Sequence, residues 1–289
     1  MKRVKPMHCT RWADALYWLG RVYRRQLQYA EAASSYTEAD RIYARIGNDQ
    51  GQAKALYNLG EVYRHQSKYG EAASSYIQAN EIYARISQDQ WQAKAAYNLG
   101  HVYRHQSKYV EAELSYTQAD EIYARIGSDR GQADALYWLG EVYRHQSKYT
   151  GSTSFYTRAE NIFACIGNDQ WQAKSLYNLG EVYRHQSKYV EAASSYTRAH
   201  EVYARIGNDQ WQAKALYNLG QVYRHQSRYV EAAASYARAD EIFARIGNDR
   251  GQADALYWLG EVYRHQSSYV EAASSYARAD EIYARIGND

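Results

Sequence analysis

Apolar and polar positions along this chain follow one motif of 40 residues, copied seven times. In the copy at 50–89, Leu56, Leu59, Val62 and Tyr63 recur at three- and four-residue steps, which puts them on one side of a helix. Gln66-Ser67-Lys68 interrupts the pattern. A second stripe of Tyr69, Ala72, Tyr76, Ala79, Ile82, Tyr83 and Ile86 then predicts a helix over about 69–86. The small Ala residues between bulky Tyr give this helix the grooves and knobs of a close-packed face. The copies run 10–49, 50–89, 90–129, 130–169, 170–209, 210–249 and 250–289, after a basic tail at 1–9. Helix–turn–helix units at a fixed period predict an all-α superhelical solenoid in which each unit touches mainly its neighbours.

Punctuation within the motif sharpens the elements. Asp49 is expected as the N-cap of the first helix, with Gln52 completing a capping box. Gly47 is expected to close the preceding helix in a left-handed conformation. The third copy is entered through Ser87-Gln88 instead, so that turn is expected to be less rigid. Gly60 lies inside a helix at a cost of roughly 1 kcal/mol relative to Ala. Its recurrence predicts close approach of a neighbouring helix backbone. The fourth copy departs most: Thr150-Gly151-Ser152-Thr153-Ser154-Phe155 replaces the usual Val-Glu-Ala-Ala-Ser-Ser, marking the softest point of the array.

Composition narrows the function classes. All 33 tyrosines occupy five recurring positions, with Phe163 and Phe243 at the other two of 35 slots, so the aromatics read as core. A net charge of +3 is too balanced to argue for a nucleic-acid or membrane surface. No run approaches the ~18–20 apolar residues that span a bilayer. The two cysteines, Cys9 and Cys165, sit in unrelated contexts, which argues against a disulfide framework and for a cytoplasmic, reducing compartment. No metal-ligand spacing, nucleotide-binding loop or nucleophile–base pair stands out, so neither cofactor nor enzymatic activity is expected.

Leu56, Leu59-Gly60, Tyr63, Ala72, Tyr76 and Ala79, with their equivalents over 10–289, resemble the tetratricopeptide repeat in order and spacing. The family's terminal Pro is missing and the unit is longer than the common form, similar to the repeats of kinesin light chains and Pins-type G-protein regulators. It also resembles the sensor arrays of signal-transducing ATPases. The resemblance implies a right-handed superhelical α-solenoid whose first helices line a concave groove that binds peptides or proteins and catalyses nothing.

Within the first helix, position 61 varies most: Arg21, Glu61, His101, Glu141, Glu181, Gln221, Glu261. Positions 54, 57, 58, 61, 64 and 65 share the face away from the Leu56–Leu59–Tyr63 stripe. The expected groove therefore carries Tyr57, Tyr97, Tyr137, Tyr177 and Tyr217, and Arg64, Arg104, Arg144, Arg184 and Arg224, flanked by His65-type residues. Asn58, Asn98, Asn178 and Asn218 each follow a Lys by four residues, Lys94 and Lys174 among them. Other copies carry an Asp–Trp pair at the same offset, as in Asp134–Trp138. Arg would pair with ligand carboxylates, and Tyr would meet apolar side chains. Asn, by the resemblance, would hold a ligand backbone, and Trp138 would offer an anchor surface. Against this, Glu61 with Arg64 and His65 also reads as an ordinary surface charge set, and Trp as inter-repeat packing. The expectation is a scaffold for an acidic or mixed-charge peptide. Alternatives are a sensor fragment of a signalling ATPase, or an array that associates end to end.

Overall fold

The structure, a computed structural model, describes residues 6–287, which form fourteen α-helices and no strand. They are α1 (Pro6–Arg25), α2 (Tyr29–Ile46), α3 (Asp49–His65), α4 (Tyr69–Arg85), α5 (Asp89–His105), α6 (Tyr109–Arg125) and α7 (Asp129–His145). There follow α8 (Tyr149–Cys165), α9 (Asp169–His185), α10 (Tyr189–Arg205), α11 (Asp209–His225), α12 (Tyr229–Arg245), α13 (Asp249–His265) and α14 (Tyr269–Ile286). The chain divides into two compact units, one ending at Gln146 and one starting at Ser147. In the first, the hairpins α1/α2, α3/α4 and α5/α6 stack in order and α7 packs on α6. In the second, α8 packs on α9, within a stack that continues through α9/α10, α11/α12 and α13/α14. Each is an all-α solenoid arrangement, as the repeat period predicts.

The stripes become two seams per repeat. Ala53 and Leu56 of α3 meet Ala79, Ile82 and Tyr83 of α4 and Ala95 of α5. Ala72, Ala73 and Tyr76 of α4 meet Leu99 and Val102 of α5. Like α4, the second helices α2, α10 and α12 each pack on their own first helix and on the next one. Ser75, buried on this face, satisfies its hydroxyl on the Glu71 carbonyl at 2.9 Å.

Four expectations change. Asp49 is the first residue of α3, and Asn48 is the N-cap, its Oδ1 accepting from the Gly51 N–H at 2.9 Å. Asp49 instead pairs with Arg85 at 3.0 Å, tying the start of one helix to the end of its partner. The Gln of the supposed capping box looks outward: Gln132 donates to Asp120 at 3.0 Å and Gln172 to Glu160 at 2.9 Å, linking a first helix to the preceding second helix. Gly60 is not a backbone crossing either. A Cβ there would meet the ring of Tyr76 at 2.9 Å, so the glycine makes room for a buried phenol. Finally, α1 begins at Pro6, a residue suited to a first helical turn, so helix takes 6–9 of the expected tail. Residues 1–5 of that tail, and 288–289 of the last repeat, lie outside the described residues.

The turns follow one geometry. Gly47 has φ 69° and Ser87, in its place one repeat later, has φ 53°, so the left-handed turn is kept without glycine. The helix at the anomalous fourth copy, α8, is continuous, with Ser152 fully buried and Thr153 bonding the Thr150 carbonyl at 2.9 Å.

Candidate functional site

The 54–57–58–61–64 face of α1, α3 and α5 bounds an open cavity of about 640 Å3 in the first unit. Its walls include Arg21, Arg24 and Lys94 as cations, Glu61 as the carboxylate, and Tyr57, Asn58, Trp91, Tyr97 and Asn98. Period-3.6 geometry delivers these side chains to one face, because the opposite stripe is pinned in the seams. The sequence-predicted face is real, but many of its groups are already at work.

The asparagines are bound by the preceding repeat. Asn98 donates to Tyr57 Oη at 2.8 Å and to Glu61 Oε1 at 2.9 Å. Asn218 does the same with Tyr177 and Glu181, each at 2.8 Å. Asn58 donates to Tyr17 Oη at 3.3 Å and to the Lys54 carbonyl at 2.8 Å. Asn178 occupies the equivalent position on α9. Amide donors are thus committed within the protein, and in Asn58, Asn98 and Asn218 the amide oxygen is the part left to receive a ligand N–H.

The tyrosines are also less available than the spacing suggests. Tyr137 is 2% exposed and belongs to the core, its ring edge-on to Trp138. Tyr57 packs edge-on against Tyr76 and Trp91. Burial and the nearby Glu61 charge push its phenol up to about 12, a level at which it stays protonated. Tyr97 and Tyr177 are likewise pushed up by burial, while Tyr217 is half-buried beside Gln221.

The arginine ladder has two forms. Arg64, Arg144 and Arg184 each pair with the Glu three residues earlier, at 3.1, 2.8 and 2.9 Å. Glu61 is itself only 14% exposed and accepts from Tyr76 Oη, so it is not an ordinary surface partner. Where the earlier residue is His101 or Gln221, no carboxylate pairs with the Arg among the described residues. Arg104 instead lies over Trp138 at 4.5 Å and Arg224 over Trp258 at 4.3 Å, while Gln221 accepts from Arg224 at 3.3 Å. Arg24 follows Arg21, which lies over Trp18 at 4.4 Å.

These two forms are coupled across repeats. Glu at position 61 is met by Asn on the next first helix (Glu61–Asn98, Glu181–Asn218), whereas His101 is met by Trp138, and in the copy with Gln221 it is Arg224 that lies over Trp258. The Asn–Lys and Asp–Trp alternation visible in sequence is therefore one half of a pair whose other half is position 61. Trp91, Trp171 and Trp211 carry a Lys instead: Lys94 lies over Trp91 and Lys174 over Trp171, both at 4.5 Å, and Lys214 over Trp211 at 4.4 Å. Trp138, offered as an anchor, is stacked by Arg104 and edge-packed by His101, a mixed result for the anchor reading.

His101 is set apart from the exposed histidines. Burial, with Arg104, Arg64 and His105 nearby, pushes its pKa down to about 3, and its Nδ1 faces Tyr116 Oη at 2.9 Å. The His65-type rings are elsewhere, stacked flat on the Tyr that opens the preceding second helix, as in Tyr29–His65 and Tyr69–His105. Among the described residues there is no group of three or more His, Cys, Asp and Glu that could hold a metal ion. No helix is long and apolar enough to cross a membrane. Arg21 and Arg24 stand at the positions of 61 and 64 that the spacing puts on this face, and both line the cavity together with Trp91.

Comparison with known proteins agrees with this geometry. A tetratricopeptide repeat profile matches residues 13–85, 51–125, 91–164, 131–205 and 171–245, and a second profile of the same name matches 244–285. No curated protein matches. Among solved structures, the apo form of RapI superposes with a TM-score of 0.65 at 14% identity, covering 96% of this chain and 99% of that one. A Rap protein complexed with competence and sporulation factor gives 0.52 at 18%, covering 94% and 75%. A signal transduction ATPase with a tetratricopeptide repeat sensor from Pyrococcus horikoshii gives 0.73 at 14%, covering 96% of this chain but 43% of that one. With its fourteen paired helices and profile matches over nearly its whole length, the chain belongs to the tetratricopeptide repeat family.

Proposed function

We propose that the chain is a non-enzymatic scaffold that holds an extended, acidic peptide segment along the first-helix face. The observation that carries this reading is the cavity bounded by α1, α3 and α5. It presents Arg21, Arg24 and Lys94 against one carboxylate, Glu61, which is already engaged by Arg64, Tyr76 and Asn98. An anion entering there meets unspent positive charge and the Oδ1 acceptors of Asn58 and Asn98 for its backbone N–H groups. A Rap protein of similar fold is complexed with competence and sporulation factor, which supports a binding role for such a face. The free state of Cys9 and Cys165 fits a reducing cytoplasm.

Panning a random peptide library on the intact chain tests this. Enriched peptides are expected to be acidic and to bind with affinity on the order of micromolar, since each contact is partly solvated. Arg24→Glu combined with Lys94→Glu is expected to weaken them by at least about tenfold, the cost of roughly one lost charged hydrogen bond. Binders indifferent to that double variant would sink the reading. A second reading is the sensor portion of a signalling ATPase, favoured by the likeness to the Pyrococcus horikoshii sensor. Co-purification of this chain with a nucleotide-binding domain encoded in the same reading frame would support it.

A further inference from the structure

Resting on the peptide-binding reading, the geometry points to a spacing rule: the first unit selects extended peptides whose two acidic side chains stand six residues apart, one for Arg24 and one for Arg104. The arginine column in this unit comprises Arg24, Arg64, Arg104 and Arg144, one per repeat. Arg64 and Arg144 are cancelled by Glu61 and Glu141 at 3.1 and 2.8 Å. Arg24 follows Arg21, and Arg104 follows His101, so neither has a carboxylate of its own among the described residues. The column therefore alternates between open and cancelled charge.

Repeat spacing turns this alternation into a length. Packed helices lie ~10 Å apart, so two open arginines separated by two repeats stand ~20 Å apart. An extended strand rises ~3.3 Å per residue, so ~20 Å is about six residues. Six is even, which keeps both side chains on one face of a strand, and it is also two full turns of polyproline II. Either backbone form can deliver both carboxylates to the arginines.

One of the two open arginines is also held in place: the Arg104 guanidinium lies over Trp138 at 4.5 Å, as the wall cation Arg21, one turn before Arg24, lies over Trp18 at 4.4 Å. Flat stacking leaves the guanidinium edge for a bidentate carboxylate. His101 stays uncharged, with its pKa down near 3, and its Nδ1 occupied by Tyr116, so it neither cancels Arg104 nor repels it further.

Fluorescence anisotropy on the intact chain tests the rule, using labelled Ser/Ala peptides that carry two Glu residues at i,i+3, i,i+4 or i,i+6. The i,i+6 peptide is expected to bind at least about fivefold more tightly than the others. His101→Glu supplies Arg104 with the intrahelical partner that Glu61 gives Arg64, and is expected to remove the preference. That variant places at 101 the residue already present at 61, 141, 181 and 261, which preserves the bond to the buried Tyr as in Tyr276–Glu261 at 2.5 Å. Glu61→Gln opens Arg64 and is expected to bring the i,i+3 peptide up to the i,i+6 level. Acidic peptides that bind regardless of spacing, or a preference that survives His101→Glu, overturn the rule while leaving peptide binding intact. No binding by any Glu peptide overturns both.

Discussion

Gly100 and Gly70 are both helical glycines, yet their surroundings predict opposite responses to a methyl group. A Cβ on Gly100 would meet the Tyr116 ring at 2.7 Å, and that ring is fully buried with its hydroxyl on His101. Gly100→Ala is therefore expected to lose ~1–3 kcal/mol despite its better helix propensity. Nothing lies within 4 Å of a Cβ on Gly70, so Gly70→Ala is expected to gain ~0.5–1 kcal/mol. Urea titrations of the two variants check both signs. His101 carries a second prediction at this scale. Arg64 of α3, Arg104, His105 and Tyr97 of α5, Tyr116 of α6 and Trp138 of α7 surround it, and its pKa falls from 6.5 to about 3. The unfolded chain then binds a proton that the folded chain refuses. This contribution to stability is full above pH 6.5 and is lost as the pH falls toward 3. His101→Gln is expected to show a smaller drop in Tm between pH 7 and pH 4 than the parent chain, as read by circular dichroism.

Helices were the most legible part of this sequence, because each is amphipathic and each end carries its own chemistry. The stripe of Tyr69, Ala72, Tyr76, Ala79, Ile82 and Tyr83 maps onto α4 nearly residue for residue, since a 3.6-residue period admits one buried face. The caps were harder. Asn48 and Asp49 are adjacent and both suit an N-cap, and only the Gly51 N–H shows which one serves. The exposed face of the first helices was legible as a face, but the occupancy of its groups was not. Asn98 reads as a ligand contact until Tyr57 and Glu61, in another repeat, are seen to take its donors. Hydrogen bonds between residues 37 or 41 positions apart leave no local trace. The fourth copy supplies a prediction for elements. Relative to α10, α8 lacks an acidic first turn and a basic last turn, because Thr150, Gly151 and Cys165 stand where α10 has Val190, Glu191 and Arg205. Its amides are expected to exchange at least severalfold faster than those of α10 in hydrogen–deuterium exchange. Equal protection would show that the buried Ser152 and Phe163 compensate for the missing end charges.

Within each unit, seams join a helix to its near neighbours along the chain, so stability is a sum of local terms rather than one shared core. Chemical unfolding is expected to be broad, with a slope per molar denaturant well below that of a 289-residue globule. Fluorescence reports the six copies that hold a tryptophan and misses the copy at 50–89, whereas circular dichroism averages all the helices. Midpoints from the two signals are expected to differ, and coincident sharp transitions would contradict the additive picture.

Because Glu61 and Asn98, or His101 and Trp138, sit on different copies of the motif, no single copy is a self-sufficient cassette. Excising residues 90–129 would seat Glu61 against Trp138, marrying an acid to an indole and stranding a carboxylate that Asn98 formerly held. A cut-and-paste editor working on this gene, natural or otherwise, would have to keep neighbouring copies matched, and the order Trp, Asn, Asn, Trp, Asn, Asn, Trp along the chain is the grammar it would obey.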